Sequence, residues 1–379
     1  MTTKNIFFLG FFLLCMGLLI SKPWLSQSQD SYIYRIPEKL DDGWEVSSLS
    51  VEGMDEALTV KATNQIRHDK FKGIHSMVIV KNGRLVHEVY FKNYTRESLH
   101  RIHSITKSIS SILIGIAIDK GFIKNVEEPV YKYFPGYDSD FDTPSKRKIR
   151  IKHILTLMSG INWAERQYPY SDPRNNEYHQ VRSKDWIGYV LKLPMRDEPG
   201  TEWEYNTGSV HLLSGIIKQT TGLFADKFAE KYLFEPLSIK KYEWNKDPKG
   251  YPCTGGTHGG LRMRTRDVAK IGSLVLNRGK WNDRCIVSED WVKLSTDLHY
   301  NPPDYNAMGF LWWRQSFILY GTKVQMIYGA GYGGQSLTLI PDLDLIIVFT
   351  CWTQARDAMI FSPMLMIINS ALKTVVEDK

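Results

Sequence analysis

The sequence predicts an α/β fold of the α+β kind, in which an antiparallel sheet built from both chain ends is flanked by helices and carries a helical insert. Two apolar, strand-like runs in residues 75–91 surround Asn82-Gly83, the strongest short hairpin signal. Residues 336–340 alternate, residues 341–344 supply turn chemistry, and residues 345–350 are apolar and mostly β-branched or aromatic. The segment between these two groups of strands has helical spacing. One shared sheet is therefore the economical architecture.

The first 28 residues differ from the rest of the chain. Lys4 precedes an apolar run over residues 6–20, Ser21-Lys22-Pro23 breaks it, and small residues stand near Ser28. The run is short for a bilayer span and typical of a signal peptide. We expect cleavage near Ser28 and a secreted or periplasmic, cell-envelope protein. An uncleaved anchor, with residues 6–20 as a membrane tether, is the alternative.

The mature chain, residues 29–379, is expected to have an α/β part (residues 29–103 and 255–379) and a helical part (residues 104–254). The last helix should lie beside the first and cover one face of the sheet. Helical spacing and cap residues predict helices over residues 56–68, 104–120, 154–158, 183–192, 210–221, 265–276, 288–295 and 359–375.

Composition places the chain among ordinary globular proteins. It has 379 residues, 43% of them hydrophobic and 23% charged, with a formal net charge of +7. The dense basic run is residues 146–152, and its later cations alternate with isoleucine. That pattern predicts a short exposed strand with a solvated face, so we expect no nucleic-acid partner.

Cysteine and histidine spacing gives no sign of a metal site. Cys253, Cys285 and Cys351 contain no C-x-x-C pair and permit at most one disulfide. His100 and His103 are three residues apart, with no cysteine or acidic partner at matching spacing. We predict no bound metal.

Residues 329–334 match G-x-G-x-x-G, the spacing of dinucleotide-binding loops. That function needs a strand before the glycines and a helix after them, so that the helix N-terminus faces the pyrophosphate. Here a strand, a turn and another strand follow. We therefore predict no organic cofactor.

The spacing S-x-x-K occurs at Ser104, Ser145, Ser238 and Ser370. Ser104 differs because it opens an apolar helix, which places Lys107 on the same face one turn deeper. A buried helix N-terminus favours a developing alkoxide and a neutral amine. Taken alone, these residues fit equally well an N-cap serine and a surface lysine.

Further blocks carry a family resemblance. "SITKSISSILIGIAIDKGFI", "IRIKHILTLMSGINW", "PGTEWEYNTGSVHLLSGII", "GGLRMRTRDVAKIGSLVLNRGKW" and "GYGGQSLTLIPDLDLIIVF" occur in this order. Taken together, these five blocks resemble the serine β-lactamase and penicillin-binding superfamily. They most resemble the class C-type hydrolases, which include esterases and 6-aminohexanoate-dimer hydrolase. The resemblance runs from about residue 43 to residue 372 and implies a β-lactamase-like fold.

The resemblance implies a role for each matching residue. Ser104 would be the acylated nucleophile, Lys107 its base and Tyr205 the proton relay to the leaving group. The backbone N–H groups of Ser104 and Tyr332 would form the oxyanion hole, where one donor typically contributes about a hundred- to thousandfold in rate. The substrate would contact Thr207, Gly329, Gly331 and Trp313.

Two departures from the family pattern bear on the substrate. Thr207 stands where the second motif, Tyr-x-Asn, has its asparagine. The third motif, Lys-Thr-Gly or His-x-Gly, is Gly329-Ala330-Gly331 here and lacks the cation. That cation helps to hold a substrate carboxylate in family members, so its absence favours neutral esters or amides over β-lactams. Lys323 and Arg314 are the sequence candidates for a replacement.

The sequence thus predicts a secreted serine hydrolase for a small-molecule or peptide-like ester or amide. The alternatives are a catalytically weak, penicillin-recognising binding protein of the cell envelope and a D-alanyl carboxypeptidase or β-lactamase. The glycines of residues 329–334, which have no side chains, would leave space for the substrate along one wall of the site. On that hypothesis Gly331→Val abolishes acylation and leaves the fold intact.

Overall fold

Seven antiparallel strands form the main sheet of the computed structural model, which describes residues 31–256, 258–303, 305–352 and 358–377. In chain order the strands are β1 Ile74–Lys81, β2 Arg84–Tyr90, β3 His100–Arg101, β4 Tyr242–Trp244, β5 Leu261–Met263, β6 Lys280–Trp281, β7 Arg284–Cys285, β8 Ala307–Met308, β9 Trp313–Leu319, β10 Thr322–Gly331, β11 Gln335–Ile340 and β12 Leu345–Cys351. The sheet order is β2-β1-β12-β11-β10-β9-β8. The prediction of a sheet made from both chain ends is confirmed. The predicted signal peptide or anchor lies outside the described residues.

Tight turns join the neighbouring strands of this sheet. Asn82 and Gly83 link β1 to β2 with φ of 51° and 71°, the left-handed pair that a type I′ hairpin requires. Gly333 and Gly334, with φ of 82° and 91°, lie in the turn between β10 and β11. A glycine-rich turn therefore connects two strands here, as the sequence predicts, and no helix follows it.

Helices cover both faces of the sheet. Leu337 and Leu339 of β11 face one helix, because a Cβ on Gly272 would lie 2.9 Å from each of them. Thr338, between them, points to the other face and donates to Met364 Sδ at 3.5 Å. In chain order the helices are α1 Glu56–Arg67, α2 Ile105–Asp119, α3 Pro144–Arg147, α4 Ile151–Leu155, α5 Asn176–Gln180, α6 Trp186–Lys192, α7 Thr207–Thr221, α8 Ala225–Ala229, α9 Thr265–Leu276, α10 Glu289–Thr296 and α11 Ala358–Glu377.

The first and last helices pack together on one face, as predicted. The amide of Asp55, which caps α1, donates to Ser370 O of α11 at 2.9 Å. On the opposite face, α9 contacts β1, β11 and β12. The sheet is therefore buried on both sides, which explains why β11 and β12 are buried at every residue.

Helix α2 connects the sheet to the helical insert. All of its residues from Ile105 to Ala117 are buried, and it contacts β10 on one side and α7 and α10 on others. A Cβ on Gly115 would lie 2.2 Å from the indole of Trp291, so the glycine permits the close crossing of α10. Helix α2 therefore lies between the sheet and the helices of the insert.

The basic run at residues 146–152 is not a strand, so that prediction is wrong. Its residues end α3 and begin α4, and Ile149 and Ile151 are buried in the core. The ammonium of Lys146 is also buried and donates to the backbone oxygens of Asp140 and Leu191, both at 2.9 Å. The alternation of cations and isoleucines therefore arises from two short helices joined by a turn.

Helix starts differ from the prediction where polar side chains act as caps. Helix α7 begins at Thr207, three residues before the predicted start, because Asn206 accepts from Ser209 N. Helix α6 begins at Trp186, since Asp185 accepts from Gly188 N. Helix α4 also begins earlier than predicted, at Ile151, where the amide of Arg150 donates to His153 Nδ1 at 3.2 Å.

Three further properties concern the described residues as a group. Cys253, Cys285 and Cys351 are free thiols. In the described part of the chain no helix is long and apolar enough to cross a membrane. The same residues contain no group of three or more histidine, cysteine and carboxylate side chains that could hold a metal ion.

Candidate active site

Ser104 lies where a short strand turns into α2. The amide of Ile102 donates to Leu261 O at 3.0 Å and that of His103 to Gly259 O at 3.1 Å, which ties this segment to β5 and to the loop before it. His103 has φ of 47°, a conformation that non-glycine residues adopt at a cost in free energy. Ser104 occupies the N-cap position, yet its side chain makes no capping hydrogen bond. The hydroxyl is therefore directed to other partners.

Those partners are the two residues that the sequence singles out. Lys107 Nζ donates to Ser104 Oγ at 3.1 Å, and the Tyr205 hydroxyl donates to the same oxygen at 2.7 Å. Lys107 Nζ also lies 5.1 Å from the centroid of the Tyr205 ring. Lys107 and Tyr205 are only 3% and 6% exposed, so both partners of Ser104 are buried. The arrangement of nucleophile, adjacent base and second proton donor suits covalent catalysis.

A buried carboxylate holds the loop that carries Tyr205. Glu165 Oε2 accepts from Thr207 N at 2.9 Å and from Trp163 Nε1 at 2.8 Å. Its Oε1 accepts from Thr207 Oγ1 at 2.7 Å and from the Tyr170 hydroxyl at 3.0 Å. Burial, followed by the charge of Glu165, raises the pKa of Tyr170, so this phenol remains a hydrogen-bond donor. Sequence reasoning missed Glu165, which has no local motif.

The glycine-rich loop before β5 is also part of the site. A Cβ on Gly255, whose φ is 143°, would lie 2.6 Å from Lys107 Nζ and 3.3 Å from Ser104 Oγ. The carbonyl oxygen of Gly256 lies 3.3 Å from His103 Nδ1. Only a residue without a side chain fits beside the serine–lysine pair. Sequence reasoning did not place this loop beside Ser104.

The glycines of β10 lie close to the segment that carries Ser104. A Cβ on Gly331 would lie 2.3 Å from Ile102 O, and one on Gly329 would lie 3.2 Å from Ser108 Oγ. Both positions are thus packed against the segment that carries Ser104, and the space beside Gly331 is filled by backbone. The expectation that Gly331→Val leaves the fold intact is wrong, because a larger side chain would collide with that carbonyl.

Tyr332 follows β10 in the turn that leads to β11, and its side chain is largely exposed. Within the described residues, the amides of Ser104 and Tyr332 take no part in the turn and cap hydrogen bonds around the site. Their predicted use as an oxyanion hole stays a prediction.

A pocket with an empty volume of about 250 Å³ opens at Ser104. The structure brings Trp313 of β9 into its wall, and the ring stacks near Tyr205 at a centroid distance of 6.4 Å. Thr207, Gly329 and Gly331 are not among its lining residues, and their contact with a substrate stays a prediction. The lining residues are Ser104, Lys107, Ser108, Leu157, Tyr205, Met308, Leu311, Trp313 and Ala330.

Neither of the two cations proposed to replace the missing one in the third motif lies at the pocket. Arg314 directs its guanidinium to the backbone oxygen of Thr296. Lys323 lies on β10 opposite Ile318, near the far end of the strand from Gly331. A cation that sequence reasoning missed, Arg166, lies instead beside Tyr205 and Trp313.

These features define a serine hydrolase with the β-lactamase fold. The profile of the Beta-lactamase family matches residues 66–359, and the chain therefore belongs to that family. The predicted superfamily is thus confirmed.

Similar proteins carry several names. The chain is 25% identical over 296 residues to 6-aminohexanoate-dimer hydrolase of Paenarthrobacter ureafaciens, covering 72% of this chain and 71% of the relative. A putative D-alanyl-D-alanine carboxypeptidase of Salmonella heidelberg is 29% identical over 214 residues, or 51% of this chain and 48% of the other. The solved structure of a putative 6-aminohexanoate-dimer hydrolase from Bacillus anthracis has a TM-score of 0.67 at 19% identity, covers 82% of each chain and shows the same fold.

Proposed function

We propose that the protein hydrolyses a small-molecule or peptide-like ester or amide through an acyl-enzyme on Ser104. The observation that carries this proposal is the placement of Ser104 Oγ between Lys107 Nζ at 3.1 Å and the Tyr205 hydroxyl at 2.7 Å. The name of the relative from Paenarthrobacter ureafaciens, a dimer hydrolase, supports a hydrolytic reaction.

In the acylation step, Lys107 takes the hydroxyl proton of Ser104 as Oγ attacks the substrate carbonyl. The N–H groups of Ser104 and Tyr332 donate to the resulting oxyanion. Tyr205 gives its proton to the leaving alcohol or amine as the bond to carbon breaks, and Lys107 returns a proton to Tyr205. Water then attacks the acyl-enzyme by the reverse sequence and releases the acid and free Ser104.

The first residues of the sequence bear on the cellular location of the protein. The apolar run at residues 6–20 supports export or a membrane tether, so we propose that the reaction takes place outside the cytoplasm, in the cell envelope or medium. Cell fractionation of the tagged full chain tests this: recovery in the cytoplasmic fraction alone would contradict it.

A labelled fluorophosphonate tests the serine. Wild-type protein should be labelled, Ser104→Ala should not, and Ser110→Ala should label like the wild type. Ser110 is the matched control because it lies in the same buried helix and its hydroxyl donates to Thr106 O at 3.0 Å. Equal labelling of Ser104→Ala and wild type would refute the assignment.

A D-alanyl carboxypeptidase or β-lactamase is the second candidate, supported by the name of the Salmonella relative. Labelled penicillin separates it from an esterase or amidase, because it should acylate Ser104 detectably in the second candidate only. A protein that binds penicillin without acylation of Ser104 would instead be the catalytically weak binding protein.

A further inference from the structure

Arg166 lies at the edge of the serine pocket among three aromatic rings. Its guanidinium carbon is 4.4 Å from the ring centroid of Tyr205, 4.9 Å from that of Tyr305 and 5.7 Å from that of Trp313. Tyr205 and Trp313 both line the pocket. The backbone before Arg166 is fixed by the buried hydrogen bonds of Glu165. Arg166 is itself exposed, so its guanidinium lies at the solvent side of the pocket, next to the ring of Tyr205.

Arg166 and the neighbouring arginines contact different kinds of groups. Arg174 pairs with Asp172 at 2.7 Å and Arg196 with Glu204 at 2.7 Å. Among the residues that the structure describes, Arg166 has no carboxylate within ion-pair distance. It stacks on aromatic faces, which leaves the in-plane N–H groups of the guanidinium available to an anion.

We propose that Arg166 binds a carboxylate on the substrate, on the leaving-group side of the bond that is cleaved. The side follows from Tyr205, since this residue protonates the leaving group and Arg166 lies against its ring. A guanidinium edge matches a carboxylate in a bidentate pair. The inference rests on the proposed function, and it reverses the preference for neutral substrates that the missing cation of the third motif predicts.

Two matched substrates test the inference. One is an acylated hydroxy acid whose leaving alcohol ends in a free carboxylate, and the other is its methyl ester, which has no charge. Hydrolysis is followed in a pH-stat, and kcat/KM is measured for wild type, Arg166→Gln, Arg166→Lys and Arg174→Gln. Arg174 is the control because it stacks on Tyr168 at 4.3 Å in the same segment but already has a carboxylate partner.

Arg166→Gln should lower kcat/KM for the carboxylate substrate at least about tenfold more than for the methyl ester, as expected for loss of a charged hydrogen bond. Arg166→Lys should recover part of that difference, and Arg174→Gln should not produce it. Equal losses for the two substrates would overturn the inference and leave Arg166 as a packing residue.

A binding measurement separates this inference from the proposed function. The free hydroxy acid is titrated calorimetrically into wild type, Arg166→Gln and Ser104→Ala. Binding to wild type and Ser104→Ala but not to Arg166→Gln supports the arginine site even if fluorophosphonate fails to label Ser104. Labelling of Ser104 together with equal binding to all three proteins overturns the arginine site alone.

Discussion

The hydrogen bonds of Glu165 predict that the shape of its side chain contributes more to stability than its negative charge. Two fixed N–H donors, from Trp163 and the Thr207 backbone, meet Oε2, whereas two rotatable hydroxyls, from Thr207 and Tyr170, meet Oε1. A glutamine can place its carbonyl oxygen at the first position and its NH₂ at the second. Both hydroxyls can then turn and accept, so every group keeps a partner.

Glu165→Gln should therefore lose no more than about 1.5 kcal/mol of unfolding free energy, because neutral hydrogen bonds replace charged ones. Glu165→Ala leaves both fixed donors buried without an acceptor, at about 1–3 kcal/mol each, so the loss should be about 2–6 kcal/mol before any cavity term. Urea unfolding measures both values. The rate of fluorophosphonate labelling should fall in the alanine variant, since the Tyr205 loop loses its anchor.

Glu204→Ala is the control, because this nearby carboxylate accepts from Gln167 and Arg196 at the surface and should contribute under about 1 kcal/mol. If glutamine proves as harmful as alanine at position 165, the charge itself is required. If the alanine variant unfolds within about 1 kcal/mol of wild type, the buried donors have found other partners and the account of the loop is wrong.

The remaining predictions concern the glycine loop and acid stability. Gly255→Ala should slow fluorophosphonate labelling at least about tenfold, because the new Cβ would lie 2.6 Å from Lys107 Nζ and displace it. An unchanged rate would show that the amine can move without loss of reactivity at Ser104. Burial lowers the pKa of His87 to about 3. Between that value and pH 6.5 the unfolded chain binds a proton that the folded chain does not, so stability falls as the pH falls, by up to about 1.4 kcal/mol per pH unit. Urea unfolding from pH 6.5 to 4 should show a shallower decline for His87→Gln than for wild type, and parallel declines would refute the assignment.

The sheet and the contact between Ser104 and Lys107 could be predicted because their signals are local. Asn82-Gly83 specifies a hairpin by backbone conformation alone, and the spacing of Ser104 and Lys107 brings both side chains to one helical face. The geometry also contradicts one interpretation that the sequence left open at this helix, an N-cap serine with a surface lysine. The serine makes no cap hydrogen bond, and the lysine is buried against it.

Other features could not be predicted because they depend on contacts between distant segments. Glu165 binds the amide of Thr207, 42 residues further along the chain, and nothing in the local sequence of either residue encodes that pairing. Gly255 acquires its role only when its loop is folded against α2. Conversely, the alternating residues 146–152 carried a local strand signal that helix packing overrides.

The pairing of β1 with β12 affects when the Ser104 site can form during synthesis of the chain. Ile74 lies opposite Cys351 and Lys81 opposite Leu345, so β1 gains this partner only after the long helical segment between the two strands has been made. Strand pairs this distant in sequence close slowly and leave an unpaired edge in the meantime. The strand that packs Gly331 against the segment before Ser104 belongs to the same late group. The Ser104 site is therefore complete only when the strands that follow the helical segment have been made and have paired.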